Sequence, residues 1–183
     1  MEVVSTLIAD VKLVSPKRYK DDRGWFEESY RQDLLAAAGI GEAFVQDNLS
    51  FSVHEGTVRG LHFQLPPFGQ GKLVGVVAGS ILDVAVDLRH GSPTYGQHVA
   101  VRLDAALGQM LYVPVGFAHG FCTIEKNTQV MYKVTSCYNP GADRGLAWND
   151  PALGIKWPVS DDRAILSPKD RAAPLLATLD RIF

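Results

Sequence analysis

The stretch Ile81-Leu82-Asp83-Val84-Ala85-Val86-Asp87-Leu88 repeats with a period of two. Successive strand side chains point to opposite faces, so Ile81, Asp83, Ala85 and Asp87 share one side and Leu82, Val84, Val86 and Leu88 share the other. The second face is apolar throughout. The first carries two carboxylates, which either meet solvent or line a polar cavity in a barrel whose outer face packs against something else.

The same texture extends in both directions. Gly and Pro recur at short intervals, and the segments between them are mostly too short for helices but alternate. Strands are expected at Gly24–Tyr30, Phe44–Val53, Val58–Gln64, Leu73–Ala78, Ile81–Leu88, Gln97–Leu103, Met110–Val113, Gly120–Ile124 and Thr128–Ser136. This spacing predicts an all-β sandwich or barrel. In the last of these segments Val130, Tyr132 and Val134 share one side. Arg31–Ala38, closed by Gly39, reads as a short helix, and Pro168–Asp180, opened by Ser167, as a C-terminal one. Both belong outside the barrel. Asn139–Val159, rich in Gly, Pro and Trp, is expected to be an ordered loop.

The chain has 183 residues and shows no repeat, linker or low-complexity tract, so residues 1–183 are expected to form a single domain. Its net charge of −2 comes from dispersed acids and bases. No basic stripe offers a nucleic-acid face, and an anionic ligand would have to be held by a few Arg and Lys side chains converging in a cleft. The two cysteines, Cys122 and Cys137, sit in apolar or strand-like runs and are expected to be buried free thiols, which fits a cytoplasmic protein. Met1 to Val14 carries Glu2, Asp10 and Lys12 and has neither a basic start nor an unbroken apolar run, so no signal peptide or membrane span is expected.

Chemistry concentrates in Arg59-Gly60-Leu61-His62-Phe63-Gln64 and, after a turn, Lys72. Arg, His, Gln and Lys among apolar neighbours suggest a lined pocket rather than a surface strand. Strict alternation puts Arg59 and His62 on opposite faces, so Gly60 has to provide a bulge or kink if both are to enter it. A second cluster, Tyr112-Val113-Pro114-Val115-Gly116-Phe117-Ala118-His119-Gly120-Phe121, places His119 at the head of a strand after a Pro-Gly turn.

Together with Gly60–Gly79, this cluster resembles the two motifs of the cupin superfamily, whose metal-binding members usually supply two His and a Glu from the first motif and one His from the second. Here Phe63 and Gln64 stand where a second His is expected, and Lys72 lies in the region of the Glu. A permanent cation repels a divalent metal, and two His without a carboxylate form a weak ligand set, so no metal is expected.

The same side chains suit proton transfer beside a carbonyl. An unperturbed histidine titrates near ~6.5 and makes a useful base, which suits His62, an unperturbed tyrosine near ~10 stays protonated and can donate, which suits Tyr132, and Lys72 can stabilise an enolate oxygen. Asp170 is a candidate to fix the tautomer of His62, but Ser167-Pro168-Lys169-Asp170 equally matches a helix start. Near the N-terminus, Asp22-Arg23-Gly24-Trp25-Phe26-Glu27-Glu28 is either a solvated edge strand or an aromatic and charged grip for a nucleotide.

Taken in order, Asp22-Arg23-Gly24, Gln46-Asp47-Asn48-Leu49-Ser50, Arg59–Gln64, Gly71-Lys72-Leu73, Asp87-Leu88-Arg89, Pro114–Phe121, Tyr132-Lys133, Trp148-Asn149-Asp150-Pro151 and Leu166-Ser167-Pro168-Lys169-Asp170 resemble the dTDP-4-dehydrorhamnose 3,5-epimerase family over nearly the whole chain. The resemblance implies a cupin-type jelly roll with short peripheral helices, a homodimer, no metal or organic cofactor, and epimerisation at C3 and C5 of a dTDP-4-keto-6-deoxy sugar in dTDP-L-rhamnose synthesis. It implies His62 as base, Tyr132 as acid, Asp170 as the group orienting His62, and Lys72 at the enolate. Arg23, Phe26, Glu28, Gln46, Asp47, Asn48, Arg59, His119 and Lys169 are implied to hold the substrate, some of them from the partner chain, with His119 and Asp83 close together. Asp143 stands where the family pattern has Glu, one methylene longer.

Three other readings are set against this one. Relatives of the family that epimerise a single carbon share most of these residues. A non-catalytic sugar-nucleotide binding module has no use for a base facing a phenol, and a metal-dependent cupin predicts bound iron, zinc or manganese.

Overall fold

The alternating rows of the sequence become the inner and outer faces of two sheets. A computed structural model describes residues 1–183. The strands are Glu2–Ser5 (β1), Lys12–Ser15 (β2), Arg18–Asp21 (β3), Gly24–Glu27 (β4), Gln46–Ser52 (β5), Val58–Gln64 (β6), Lys72–Ala78 (β7), Ser80–Asp87 (β8), His98–Asp104 (β9), Met110–Val113 (β10), Phe117–Thr123 (β11), Thr128–Val134 (β12) and Asp143–Gly145 (β13). Six form one sheet in the order β1-β2-β10-β7-β12-β5 and five form another in the order β13-β6-β11-β8-β9, while β3 and β4 make a separate hairpin. All ladders are antiparallel. The non-consecutive strand order is that of a cupin-type jelly roll.

The core between the sheets is built from inward rows: Val74 and Val76 of β7, Ile81 and Ala85 of β8, Leu111 and Val113 of β10, Phe117 and Phe121 of β11, and Val130 of β12. Alternate residues face outward into two further clusters. Leu73, Met110 and Tyr112 pack under Leu35 and Ile40, so the helix Gln32–Ala37 (α1) covers one outer face. Leu61, Phe63, Val84, Val86 and Leu88 pack against Leu146, Leu153 and Phe183, so the C-terminal third covers the other.

This arrangement decides the question left open at Asp83 and Asp87. Both are fully buried on the inward side of β8, in line with Ile81 and Ala85. Asp87 accepts from the Arg89 backbone N–H and guanidinium, from Ser92 Oγ and from Thr94 Oγ1, which satisfies its charge where the chain leaves the sheet.

Several expectations need correction. The C-terminal helix runs only over Pro168–Arg171 (α2), followed by a separate turn of 3₁₀ helix at Leu176–Thr178. Pro174 disfavours helix at the residue before it and lacks an N–H, so one helix cannot continue to Asp180. The loop Asn139–Val159 contributes β13 to the sheet beside β6. Strands β1, β2 and β3 fall outside the expected strands. Cys122 is buried as expected but Cys137 is exposed, and both thiols are free. No helix is long and apolar enough to cross a membrane.

Candidate active site

Polar side chains end or interrupt the inward apolar rows. Lys72 continues the row of Val74 and Val76, Tyr132 that of Val130, Asp83 that of Ile81 and Ala85, and His119 that of Phe117 and Phe121. Each of these groups is therefore carried on a rigid strand whose remaining residues anchor it in the core.

His62 and Arg59 join them through an irregularity in β6. His62 pairs with His119 and Arg59 with Phe121, so three steps along β6 match two along β11. The extra residue is a bulge at Gly60, with φ of +122°. A Cβ there would lie 2.7 Å from Gly120 Cα and 2.8 Å from His119 O, so only glycine fits. Leu61 and Phe63 stay in the outer cluster while His62 and Arg59 both face the pocket. Arg59 is then tied to β5 by bonds to Ser52 Oγ (3.2 Å) and Phe51 O (3.0 Å).

Two adjoining cavities of about 310 and 220 Å³ share His62, Lys72, Tyr132 and Lys169. The first is also walled by Gln46, Asn48, Gln70, Tyr138 and Asp143, and the second by Ser50, Arg59, His119, Phe121, Ser167 and Asp170. No cluster of three or more His, Cys, Asp or Glu side chains suited to a metal ion forms.

His62 Nε2 lies 2.5 Å from Asp170 Oδ1. The two sequence readings of Asp170 prove compatible, because its backbone N–H donates to the capping Ser167 Oγ at 3.1 Å while its carboxylate faces His62. Burial alone would raise the Asp170 pKa, but the bonds from His62, Ser167 and the Gly60 backbone outweigh it and leave the carboxyl below its usual range. On the opposite strand His119 Nε2 lies 2.7 Å from Asp83 Oδ1, and burial pushes the His119 pKa down despite that carboxylate.

The Lys72 ammonium donates to His62 O at 3.2 Å. Burial lowers its pKa to about 8, against the pull of Asp83 and Asp143. Burial raises that of Tyr132, so the phenol holds its proton at neutral pH.

At the rim, Asp143 accepts from Tyr138 Oη at 3.0 Å and pairs with Lys169 Nζ. The shorter carboxylate thus does wall the cavity. Gln46 donates to Asn48 Oδ1 at 2.8 Å and accepts from the Tyr138 N–H at 2.9 Å. Sequence reasoning did not single out Gln70 or Tyr138 as pocket residues, although Tyr138 follows directly from the strand carrying Tyr132.

Four residues of the sequence reading lie elsewhere. Asp47 is exposed and pairs with Lys133 at 2.9 Å. Arg23 is paired with Asp21 and its side chain is 90% exposed at the tip of the β3–β4 hairpin. Phe26 is exposed on the same hairpin, and Glu28 just beyond it faces Arg31. None of the four lines the cavities of its own chain.

Comparison with known proteins supplies the context for this geometry. Residues 5–178 match the family model for dTDP-4-dehydrorhamnose 3,5-epimerase. The dTDP-4-dehydrorhamnose 3,5-epimerase of Sinorhizobium fredii (strain NBRC 101917 / NGR234) is 50% identical over 179 residues, covering 98% of this chain and 91% of that protein. A dTDP-6-deoxy-D-glucose-3,5-epimerase of Legionella pneumophila Philadelphia 1, solved in complex with dTDP-4-keto-L-rhamnose, matches with a TM-score of 0.93 and 43% identity over 98% of this chain and 94% of that one. The dTDP-4-dehydrorhamnose 3-epimerase of Streptomyces niveus is 42% identical over 165 residues, 90% of this chain and 78% of that protein.

Proposed function

From the premise that the chain belongs to the dTDP-4-dehydrorhamnose 3,5-epimerase family, we propose that it converts dTDP-4-dehydro-6-deoxy-D-glucose into dTDP-4-dehydro-L-rhamnose by inverting C3 and C5. The enzyme is an isomerase of the dTDP-L-rhamnose pathway. The observation that carries this reading is that His62, backed by the buried Asp170, shares one cavity with Tyr132 and Lys72.

His62 removes the proton on a carbon next to the C4 ketone, and the electron pair of the broken C–H bond moves to the ketone oxygen. The Lys72 ammonium is positioned to stabilise that negative oxygen in a water-poor pocket. Tyr132 returns a proton to the opposite face of the carbon, which inverts it. His62 is then protonated and Tyr132 ionised, and exchange with water resets both. Asp170 keeps His62 oriented and stabilises its charged form. No cofactor is needed, because each step moves only a proton.

Arg59, His119 and Lys169 supply positive or donor groups for sugar and diphosphate, with Gln46, Asn48 and Asp143 on the nucleotide side. Arg23, Phe26, Glu28 and Asp47 fit this scheme in a homodimer, reaching the pocket of the second chain. Support comes from the exposed hairpin and from Leu49, Phe51 and Val77, large apolar side chains left uncovered on the outer face of the six-stranded sheet. A cytoplasmic location accords with the two free thiols.

Incubation of the substrate in deuterated water tests the reaction, with label expected at both carbons. The Streptomyces niveus relative favours a second reading, a single-carbon epimerase, which label at C3 alone or C5 alone would establish. Label at neither carbon would remove the function.

A further inference from the structure

Asp83 has no part in the proton transfers, yet it is fully buried, and its Oδ2 is the one buried side-chain polar atom in the chain without a hydrogen-bond partner. An unpaired carboxylate oxygen in a dry interior is costly unless a charge compensates it. Its other oxygen, Oδ1, holds His119 Nε2 at 2.7 Å.

Lys72 shows the complementary deficit. It is 6% exposed, and its only hydrogen bond within the chain runs to a neutral carbonyl, His62 O at 3.2 Å. Lys72 and Asp83 occupy inward positions on facing sheets, β7 and β8, where their apolar row-mates Val74 and Ile81 belong to one cluster.

We propose that Asp83 is a positioning residue serving two partners at once, fixing His119 through one carboxylate oxygen and using the charge of the other to keep Lys72 an ammonium. The inference rests on the proposed role of Lys72 at the enolate, since only the charged form can stabilise an oxyanion. The balance around Lys72 is finely set. Asp83 and Asp143 favour its charge, while burial and Lys169 oppose it. His62, His119 and Tyr132 line the same cavity, and Tyr132 holds its proton at neutral pH. Asp83 is the fully buried carboxylate of the pair, whereas Asp143 is already engaged by Tyr138 and Lys169 at the rim. Removal of Asp83's charge leaves Asp143 alone to oppose burial.

The test is a ¹³C NMR titration of lysine-labelled enzyme, with the Lys72 signal assigned by its loss in Lys72→Arg. In Asp83→Asn the Lys72 midpoint is expected to fall by about one pH unit or more, the ordinary effect of a nearby opposite charge. Asp83→Glu, which keeps the charge, should restore most of it. An unmoved midpoint in folded Asp83→Asn overturns the proposal. If that variant does not fold, His119→Asn decides. With the histidine gone the carboxylate is left to Lys72, so the midpoint should rise, and a midpoint that stays or falls overturns the proposal. The titration does not depend on turnover. Absence of deuterium exchange with an intact Lys72 shift would defeat the epimerase reading alone, and exchange with an unmoved midpoint would defeat this inference alone.

Discussion

His62 Nε2 and Asp170 Oδ1 stand 2.5 Å apart although 108 residues separate them in the chain. The strand bearing His62 belongs to the five-stranded sheet, whereas Asp170 belongs to a four-residue helix outside both sheets. The proposed base and the group proposed to orient it thus come from separately built parts of the fold.

Replacement of His62 by Asn is expected to lower kcat by about 10²- to 10⁴-fold, the usual contribution of a positioned general base. Asp170→Asn should likewise lower kcat with little change in KM, because an amide there neither holds the tautomer of His62 nor stabilises its charged form. Steady-state kinetics of both variants checks this, and an Asp170→Asn enzyme as fast as the parent would separate the pair functionally.

The dependence of kcat on pH should show an alkaline limb near 8, where Lys72 loses its proton. The linkage to stability has a definite sign. Lys72 titrates below its ordinary value of 10.5 when folded, so the unfolded chain binds more protons between about 8 and 10.5 and the Lys72 contribution to stability becomes more favourable across that window. Lys72→Met should lose both the limb in residual activity and this part of the stability profile, as followed by denaturation at stepped pH.

Gly60→Ala should destabilise the fold by at least about 1–3 kcal/mol from its backbone conformation alone, before the contacts with Gly120 and His119 are counted. Its surviving activity should be impaired as well, since the bulge brings Arg59 and His62 to one face. Urea denaturation and activity on the same preparation measure the two effects.

Lys169→Met is expected to raise KM more than it lowers kcat, because Lys169 sits at the rim and its loss removes a cation for the diphosphate while leaving His62, Lys72 and Tyr132 in place. Calorimetry with dTDP should show weaker binding. A fall in kcat with unchanged binding would instead place Lys169 at the reacting carbon.

If the proposed homodimer forms through the six-stranded sheet, Phe51→Asp should leave a monomer by light scattering, since Phe51 is half-exposed on an edge strand of that sheet. Mixing Arg23→Ala with His62→Asn chains should then restore activity at low substrate, as heterodimers regain one pocket with His62 from one chain and Arg23 from the other.

How much of this was legible in the sequence depends on how locally each feature is encoded. The row Ile81–Leu88 announced its strand because alternation is a property of neighbours, and Val58–Gln64 and Met110–Val113 coincide with the observed strands for the same reason. The demand for an irregularity at Gly60 followed from two side chains that had to share one face, and the register of β6 against β11 supplies it. Asp83 was ambiguous because a single strand cannot say which of its faces is enclosed. Pro174 is a local signal against a helix that reaches Asp180, and the helix stops at Arg171. Arg23, Phe26 and Glu28 carried a family signature for ligand contact, but their distance from the chain's own cavities is a property of the tertiary fold that no window of sequence contains.

The position of Asp170 also bears on when a newly made chain becomes active. Ribosomes release residues in order, so β6 with His62 emerges long before Ser167 caps the helix that carries Asp170. Asp150, which accepts the Leu176 N–H at 2.7 Å, then helps to dock the tail against the barrel. The chain therefore carries the imidazole of His62 well before it carries the carboxylate beside it, and one clipped ahead of Ser167 would lack Asp170 together with Leu176 and Phe183, which pack on the outer cluster.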